Sequence, residues 1–152
     1  MRDPFLLDLP AVVSFSGGRT SGLMLRRILD AFGGQPAGLV VSFQNTGLEH
    51  RGTYDFIERC SKEWDVEIVW LEYDLDAAGR PSHRVVTPAT AGRNGEPYDR
   101  LIEKKRMLSH PRARLCTGNL KILTLRSYLA TLPDFEDGWT NAIGLRTDEP
   151  LR

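Results

Sequence analysis

The stretch that decides the fold is Val12-Val13-Ser14-Phe15-Ser16-Gly17-Gly18-Arg19-Thr20-Ser21-Gly22. It begins as an apolar β-strand, turns through serine and glycine, and continues into a helical sequence. Glycine lets a backbone approach an anion closely, hydroxyl groups donate to its oxygens, and a helix N-terminus presents unpaired N–H groups. The junction therefore predicts a phosphate-binding turn, with an ordinary Gly/Ser turn as the alternative. It has neither the Walker A spacing nor G-x-G-x-x-G.

Outward from this junction, apolar strand-like runs alternate with amphipathic helical stretches. The pattern predicts strands at 11–15, 39–43, 67–71 and 139–145, and helices at 20–32, 52–64, 98–108 and 117–132, with Thr117 as the N-cap of the last helix. Residues 74–97 lose the periodicity apart from Val85-Val86, so we expect a long loop there. Such alternation is typical of an α/β fold. We predict one Rossmann-like domain over residues 1–152, with an open, mostly parallel sheet and helices on both faces.

Polar or glycine-rich segments follow the predicted strands at residues 16–21, 45–47, 72–73 and 144–146. The carboxyl ends of parallel strands share one edge of a sheet, and ligands bind along that edge. We therefore expect a small-molecule site there. Its candidate phosphate-binding residues are Ser14, Ser16, Gly17, Gly18, Arg19, Thr20 and Ser21. Gly144 belongs to the last segment, and Lys121, Arg146 and Arg152 are candidate anion ligands, because guanidinium and ammonium groups bind phosphate or sulfate.

The loop at residues 16–21 resembles the pyrophosphate-binding PP-loop, S-G-G-x-[DT]-S, of the adenine nucleotide alpha-hydrolase superfamily. Blocks at 43–49, 114–121 and 144–152 follow in the order found in the phosphoadenosine phosphosulfate (PAPS) reductase family, and the chain is similar to its short phage and bacterial members. The resemblance implies that the loop binds an adenine nucleotide, PAPS or ATP. It also implies that Asn45, Thr46, Gly47 and Glu49 line the nucleotide pocket. The alternative for this segment is a tight turn.

The resemblance further implies a sulfonucleotide reductase-like enzyme, in which a thiolate takes sulfite from PAPS and leaves adenosine 3′,5′-bisphosphate. Cys116 is the candidate thiol, and Lys121 is a candidate catalytic cation. Cys116 precedes a predicted helix N-terminus and is near Arg112 and Arg114, all of which favour a lowered thiol pKa. The alternative is that Cys116 is a small buried apolar residue, as we expect for Cys60. Reductases of the family carry a Glu-Cys-Gly-Leu-His segment that this sequence lacks, so a partner thiol such as thioredoxin is the other source.

Two further functions fit the same residues. One is an ATP pyrophosphatase that adenylates an acceptor, such as a nucleic acid destined for sulfur modification, and releases pyrophosphate. Thr20 stands where many PP-loop ATP pyrophosphatases have Asp. The other is a non-catalytic nucleotide-binding module, or one subunit of a larger assembly.

The formal net charge is zero, but the charges are distributed unevenly. Between residues 100 and 126 the single acid is Glu103, and the cations are Arg100, Lys104, Lys105, Arg106, Arg112, Arg114, Lys121 and Arg126. This cluster indicates either a solvated helix face or an electropositive wall. Such a wall would suit a multiply phosphorylated nucleotide or the backbone of a nucleic acid.

The sequence offers one pair of candidate metal ligands. Asp148 and Glu149 are placed to help bind Mg²⁺ with nucleotide oxygens, or else to pair with Arg146 and Arg152. The spacing of the three histidines, His50, His83 and His110, suggests no protein metal site. We expect no iron–sulfur cluster, because two cysteines cannot supply its usual four ligands.

The cysteine count and the N-terminal sequence point to the cytoplasm. Cys60 and Cys116 are far apart and give no disulfide framework, so a reducing compartment is expected. Residues 1–7 lack the apolar core of a signal peptide. No apolar run approaches the roughly 20 residues that span a bilayer, so we expect no membrane partner.

Overall fold

The computed structural model describes residues 1–110 and 112–145, and it confirms the α/β prediction. Five strands form one open sheet in the order β4-β3-β2-β1-β5. The strands are β1 (Ala11–Ser14), β2 (Leu39–Asn45), β3 (Ile68–Leu75), β4 (Pro81–Val86) and β5 (Thr140–Ile143). All neighbouring pairs are parallel except β3 and β4, so the antiparallel strand lies at one edge.

Helices cover both faces of the sheet. They are α1 (Arg19–Phe32), α2 (Arg51–Glu63), α3 (Glu96–Lys105), a π-helix (Cys116–Leu123), α4 (Thr124–Leu129) and a 3₁₀ turn (Pro133–Phe135). Helices α1 and α2 share one buried apolar cluster with the sheet. The π-helix, α3 and α4 pack on the other face in two smaller clusters. Among the described residues, no helix is long and apolar enough to cross a membrane.

The sequence of β1 and β2 reflects this two-sided burial. Val13 and Val41 pack toward α1 and α2, whereas Val12 and Val40 pack toward α4. A strand that is covered on both faces reads as a continuous apolar run, which is why the alternation typical of half-exposed strands does not appear there.

The prediction of a long loop at residues 74–97 is wrong. In the structure β3 continues to Leu75, a tight turn stabilised by Asp76 reverses the chain, and β4 follows before α3 begins at Glu96. Strand β4 lies at the sheet edge and exposes three of its six residues, so its apolar periodicity is weak. Pro81 is tolerated because it is the first residue of an edge strand. The Glu72-Tyr73 segment is accordingly part of β3 and not a loop beyond its end.

The predicted helix at 117–132 is also corrected. The chain is already helical at Leu115, so Thr117 is not an N-cap. Residues Cys116–Leu123 form a π-helix, and α4 begins at Thr124. Strand β2 extends two residues beyond the predicted end, to Asn45, and α3 ends at Lys105 and not at residue 108. The observed bounds of β1, α1, α2 and β5 differ from the predicted ones by one or two residues at their ends.

The topology creates one natural position for a ligand. Strand β1 is followed by α1 and then β2 on one side, and β5 pairs with β1 on the other side. The chain connections therefore diverge between β1 and β5. In open α/β sheets such a divergence leaves a crevice outside the carboxyl ends of the strands.

Candidate functional site

A cavity of about 400 Å³ lies at this crevice. Its lining comes from the carboxyl ends of β1, β2 and β5 and from the π-helix and α4. The lining residues are Ser14, Phe15, Ser16, Ser21, Phe43, Gln44, Glu49, Thr117, Lys121, Ile122, Leu125, Arg126, Trp139, Asn141, Ile143 and Gly144. The cavity therefore brings together six of the predicted site residues, namely Ser14, Ser16, Ser21, Glu49, Lys121 and Gly144.

The sheet wall of the cavity is built by strand alternation. On β1 the apolar Val12 is followed two residues later by Ser14, and on β2 Val40 is followed by Ser42 and Gln44. These residues project to the same face, where the apolar core gives way to polar side chains. The Gln44 amide donates to the Ser42 hydroxyl at 2.8 Å, which fixes its orientation.

The loop after β1 leaves the N-terminus of α1 without a cap. The first intrahelical bond runs from the Gly22 N–H to the Gly18 carbonyl, and Gly18, at the N-cap position, supplies no side chain. The N–H groups of the first turn therefore have no intrahelical acceptor. The first turn contains no acidic residue and begins with Arg19. Positive charge at this end of a helix opposes the macrodipole, whereas a bound anion would satisfy both the N–H groups and the charge.

Two serine hydroxyls fasten the loop. Ser21, which is buried, donates to the Gly18 carbonyl at 3.0 Å. Its oxygen lies 3.0 Å from the Ser16 hydroxyl, which therefore acts as the donor in that pair. Gly17 and Gly18 form the turn before α1, and Gly18, Arg19 and Thr20 are exposed and are not among the residues that line the cavity.

The opposite wall comes from the helical segment after residue 115. Thr117, Lys121 and Ile122 of the π-helix and Leu125 and Arg126 of α4 all reach the cavity. A π-helix has a wider turn than an α-helix, so residues spaced four and five apart share this wall. Two cations, Lys121 and Arg126, consequently line the same cavity as Ser16 and Ser21.

In the segment at residues 45–49, Glu49 lines the cavity, whereas Asn45 bonds to neighbouring protein groups. Glu49 lines the cavity and accepts a hydrogen bond from Thr46 at 3.2 Å. Asn45 is fully buried, and its side chain bonds to the Gly92 carbonyl, the Gly47 N–H and the Tyr54 hydroxyl. In the structure the side chains of Asn45 and Thr46 bond to other protein groups. The contacts with a ligand that we expect for these two residues stay predictions.

A buried carboxylate completes this arrangement. Glu72 on β3 is fully buried and accepts from Asn45 at 2.8 Å and from the Gly92 N–H at 2.7 Å. Arg84 donates to its other oxygen at 2.6 Å, and Arg100 lies 3.9 Å away. This network, named here the Glu72 network, joins β3, β4, α3 and the loops at 45–47 and 92–95.

Aromatic packing encloses the same network. Burial raises the pKa of Tyr54, so its hydroxyl remains a donor to Asn45 at 2.9 Å. The guanidinium of Arg93 lies 3.7 Å from the centroid of the Tyr54 ring. Gly47 approaches Gly95 so closely that a Cβ on Gly47 would lie 2.8 Å from the Gly95 nitrogen. Both loops are therefore fixed relative to each other.

Neither cysteine lies at the cavity. Cys116 is half-buried against the cluster of Tyr73, Leu101 and Leu120, and its thiol contacts the Ser109 hydroxyl at 3.1 Å. Cys60 is buried in the core beneath α2, as expected, and burial raises the pKa of its thiol. The thiol of Cys116 therefore faces Ser109 while its neighbour Thr117 reaches the cavity.

Several predicted ligands lie outside the described residues. These are Arg146, Arg152, Asp148 and Glu149. Gly144, which is described, brings β5 against α1, since a Cβ there would lie 3.3 Å from the Ser21 nitrogen. Within residues 1–110 and 112–145, no group of three His, Cys, Asp or Glu side chains is arranged to hold a metal ion.

Sequence reasoning missed several cavity residues, which are Gln44, Thr117, Ile122, Leu125, Trp139, Asn141 and Ile143. Part of the signal was available, because Gln44 and Asn141 interrupt apolar strands at positions that share a face with Ser14. The sequence indicates Arg126 only as a member of the charge cluster between residues 100 and 126. Its place at the cavity depends on the π-helical turn, for which the sequence carries no periodicity.

Compared with models of known protein families, the chain matches none. It is similar to an uncharacterized nin region protein, ORF290, of Escherichia phage lambda, with 33% identity over 148 residues. The alignment takes in 93% of this chain and 49% of the phage protein. The chain thus spans about half the length of the curated relative that it matches.

Proposed function

We propose that this chain binds an adenine nucleotide, PAPS or ATP, with the phosphate groups at residues 16–21. The observation that carries the proposal is the uncapped N-terminus of α1, which opens beside a cavity at the divergence of the sheet. The exposed N–H groups at this helix end and the cation in its first turn favour a bound anion. A phosphate group would accept from these N–H groups and offset the charge of Arg19.

The rest of the cavity supports a ligand larger than phosphate. Its volume of about 400 Å³ lies in the range of small-molecule and cofactor sites, about 300–1,000 Å³. Lys121 and Arg126 supply positive charge opposite the loop, and Ile122, Trp139 and Ile143 supply apolar surface. This combination suits a ligand with a charged phosphate end and a flat, largely apolar base.

For the reaction, we propose attack at the phosphosulfate linkage of PAPS or at the α-phosphate of ATP. In the first, a thiolate attacks sulfur, the sulfur–oxygen bond breaks and adenosine 3′,5′-bisphosphate leaves. A second thiol then releases sulfite and forms a disulfide. In the second, an acceptor attacks the α-phosphate and pyrophosphate leaves. Lys121 and Arg126 would stabilise the departing anion in either case.

The second candidate is the ATP reaction, and the position of the two thiols supports it. Cys116 faces Ser109 and Cys60 is in the core, so a PAPS reaction would draw its thiol from a partner such as thioredoxin. The ATP reaction needs no thiol from this chain. A nucleotide-binding module without catalysis requires only the loop and the cavity.

Product analysis separates these functions. The protein is incubated with PAPS and reduced thioredoxin, and in parallel with ATP and Mg²⁺. Sulfite with adenosine 3′,5′-bisphosphate would identify the reductase, and AMP with pyrophosphate would identify the pyrophosphatase. Binding of either nucleotide without turnover would identify the module. If neither nucleotide bound in a direct titration, the proposal would be wrong.

A further inference from the structure

The cations between residues 100 and 126 divide into three groups in the structure. Arg100 donates to the Tyr73 carbonyl at 3.1 Å and lies near Glu72, so it belongs to the Glu72 network. Lys121 and Arg126 line the cavity. Five cations remain that neither role absorbs, and we call them the basic strip: Lys104, Lys105, Arg106, Arg112 and Arg114.

The basic strip is exposed and electrostatically unbalanced. All five side chains belong to exposed residues, and within the described part of the chain none forms an ion pair. Glu103 is the single acid in the surrounding stretch. Since the whole chain has a net charge of zero, this excess is local, and local excess attracts an extended polyanion.

The elements that carry the strip are held together and lead to the cavity. The strip begins at the C-terminus of α3 and continues through the turn before the π-helix. That turn is fixed by the contact of Cys116 with Ser109 and by bonds from Arg114 and Ala113 to the His110 carbonyl. The π-helix then continues directly to Lys121 and Arg126. Positive charge therefore recurs along the chain from α3 to the cavity wall.

We propose that the basic strip binds the backbone of a single-stranded nucleic acid. The strip interleaves its cations with two exposed apolar side chains, Met107 at 47% and Leu108 at 73% exposure. A duplex presents phosphates outward and keeps its bases stacked inside, whereas a single strand offers bases beside its phosphates for apolar contact. This inference goes beyond the proposed nucleotide site and does not depend on it.

The test is the salt dependence of oligonucleotide binding. A fluorescent single strand of about 20 nucleotides is titrated with the full chain from about 50 to 200 mM salt. If all five cations contact phosphate, the log–log slope is about −3.5, so the affinity falls roughly 100-fold over this range. The triple variant Lys104→Gln/Lys105→Gln/Arg112→Gln should make the slope less steep by about 2. Arg106 and Arg114 are left unchanged, because both have a left-handed backbone conformation.

The control is a triple variant with the same charge change on the opposite face of the sheet. Arg27→Gln/Arg59→Gln/Lys62→Gln alters exposed residues of α1 and α2 and should keep the original slope. An equal loss in both triple variants would overturn the proposal, and so would equal binding of polyglutamate, or tighter binding of a duplex of the same length. ATP titrations of the strip variant should be unchanged, which separates this proposal from the nucleotide site.

Discussion

Gly17 and Gly18 are adjacent in the loop after β1, but their surroundings differ. Gly17 has a positive φ of 75°, and a Cβ there would lie 2.6 Å from Thr53 and 2.9 Å from Ile57. Gly18 has an ordinary φ, and its Cβ would meet only the Ser16 hydroxyl at 3.6 Å. Gly17 thus packs the loop onto α2, whereas Gly18 faces the loop's own hydroxyl group.

This difference allows a test of the proposed phosphate site that is separate from folding. Gly18→Val should abolish binding of ATP and PAPS, because its methyl groups would occupy space beside Ser16, at a stability cost of about 1 kcal/mol for a poor N-cap. Gly17→Ala should lower the free energy of unfolding by about 1–3 kcal/mol through strain and overlap. Nucleotide titration and denaturant unfolding measure the two effects. Wild-type affinity in Gly18→Val would contradict the site assignment.

His83 provides a prediction about pH. Burial lowers its pKa, and its Nδ1 lies 2.8 Å from the Ser127 hydroxyl. A histidine with a lowered folded pKa favours the neutral form, so its contribution to stability is present above the unfolded pKa of about 6.5 and is lost as the pH falls. The unfolding midpoint should therefore drop between about pH 7.5 and pH 5, and the drop should be smaller in His83→Gln. An identical pH profile in the variant would show that other groups control the acid response.

At the scale of elements, the Glu72 network connects parts of the chain that are distant in sequence. The carboxylate joins β3 to β4 through Arg84, and to the loops after β2 and before α3 through Asn45 and Gly92. Such a buried charge needs all its partners, because each unpaired group would pay its desolvation cost.

Glu72→Gln keeps the size of the side chain and removes its charge. Its amide has one acceptor oxygen in place of two, so either Arg84 or the pair of N–H donors loses its acceptor. We expect the free energy of unfolding to fall by about 3 kcal/mol, as measured in urea. The control is Glu67→Gln, an exposed carboxylate just before β3, which should change stability by less than about 0.5 kcal/mol. Equal small effects would contradict the role of the network.

The elements also show what the sequence could predict. Helices α1 and α2 have strong amphipathic stripes and lie within one residue of their predicted bounds. Strand β4 was missed because an exposed edge strand has little apolar patterning, and the π-helix was predicted as an ordinary helix. The proximity of Gly144 to the loop after β1 could be predicted from the sequence, because the carboxyl ends of parallel strands share one edge of a sheet. Arg126 and Gln44 required the three-dimensional arrangement of helix and sheet.

At the scale of the whole molecule, ligand binding should be coupled to folding. A ligand that binds only the folded state at about 100 times its Kd stabilises it by about 2.7 kcal/mol. For a domain of this size, that corresponds to a rise in Tm of roughly 5–10 °C. Thermal unfolding with saturating ATP or PAPS measures the shift, which Gly18→Val should lose. Adenosine, which lacks phosphate, should produce little change at the same concentration, and an equal shift with adenosine would contradict phosphate recognition.

The position of β1 has a consequence for the way the protein is made. Strand β1 pairs on one side with β2, but on the other side with β5, which begins only at Thr140. At synthesis rates of about 5–20 residues per second, β5 emerges on the order of ten seconds after β1. During that interval one edge of an apolar strand stands without its partner on the nascent chain, while the crevice beside it is still missing a wall. The cavity at the sheet edge can therefore be completed only when nearly all of the described chain has left the ribosome.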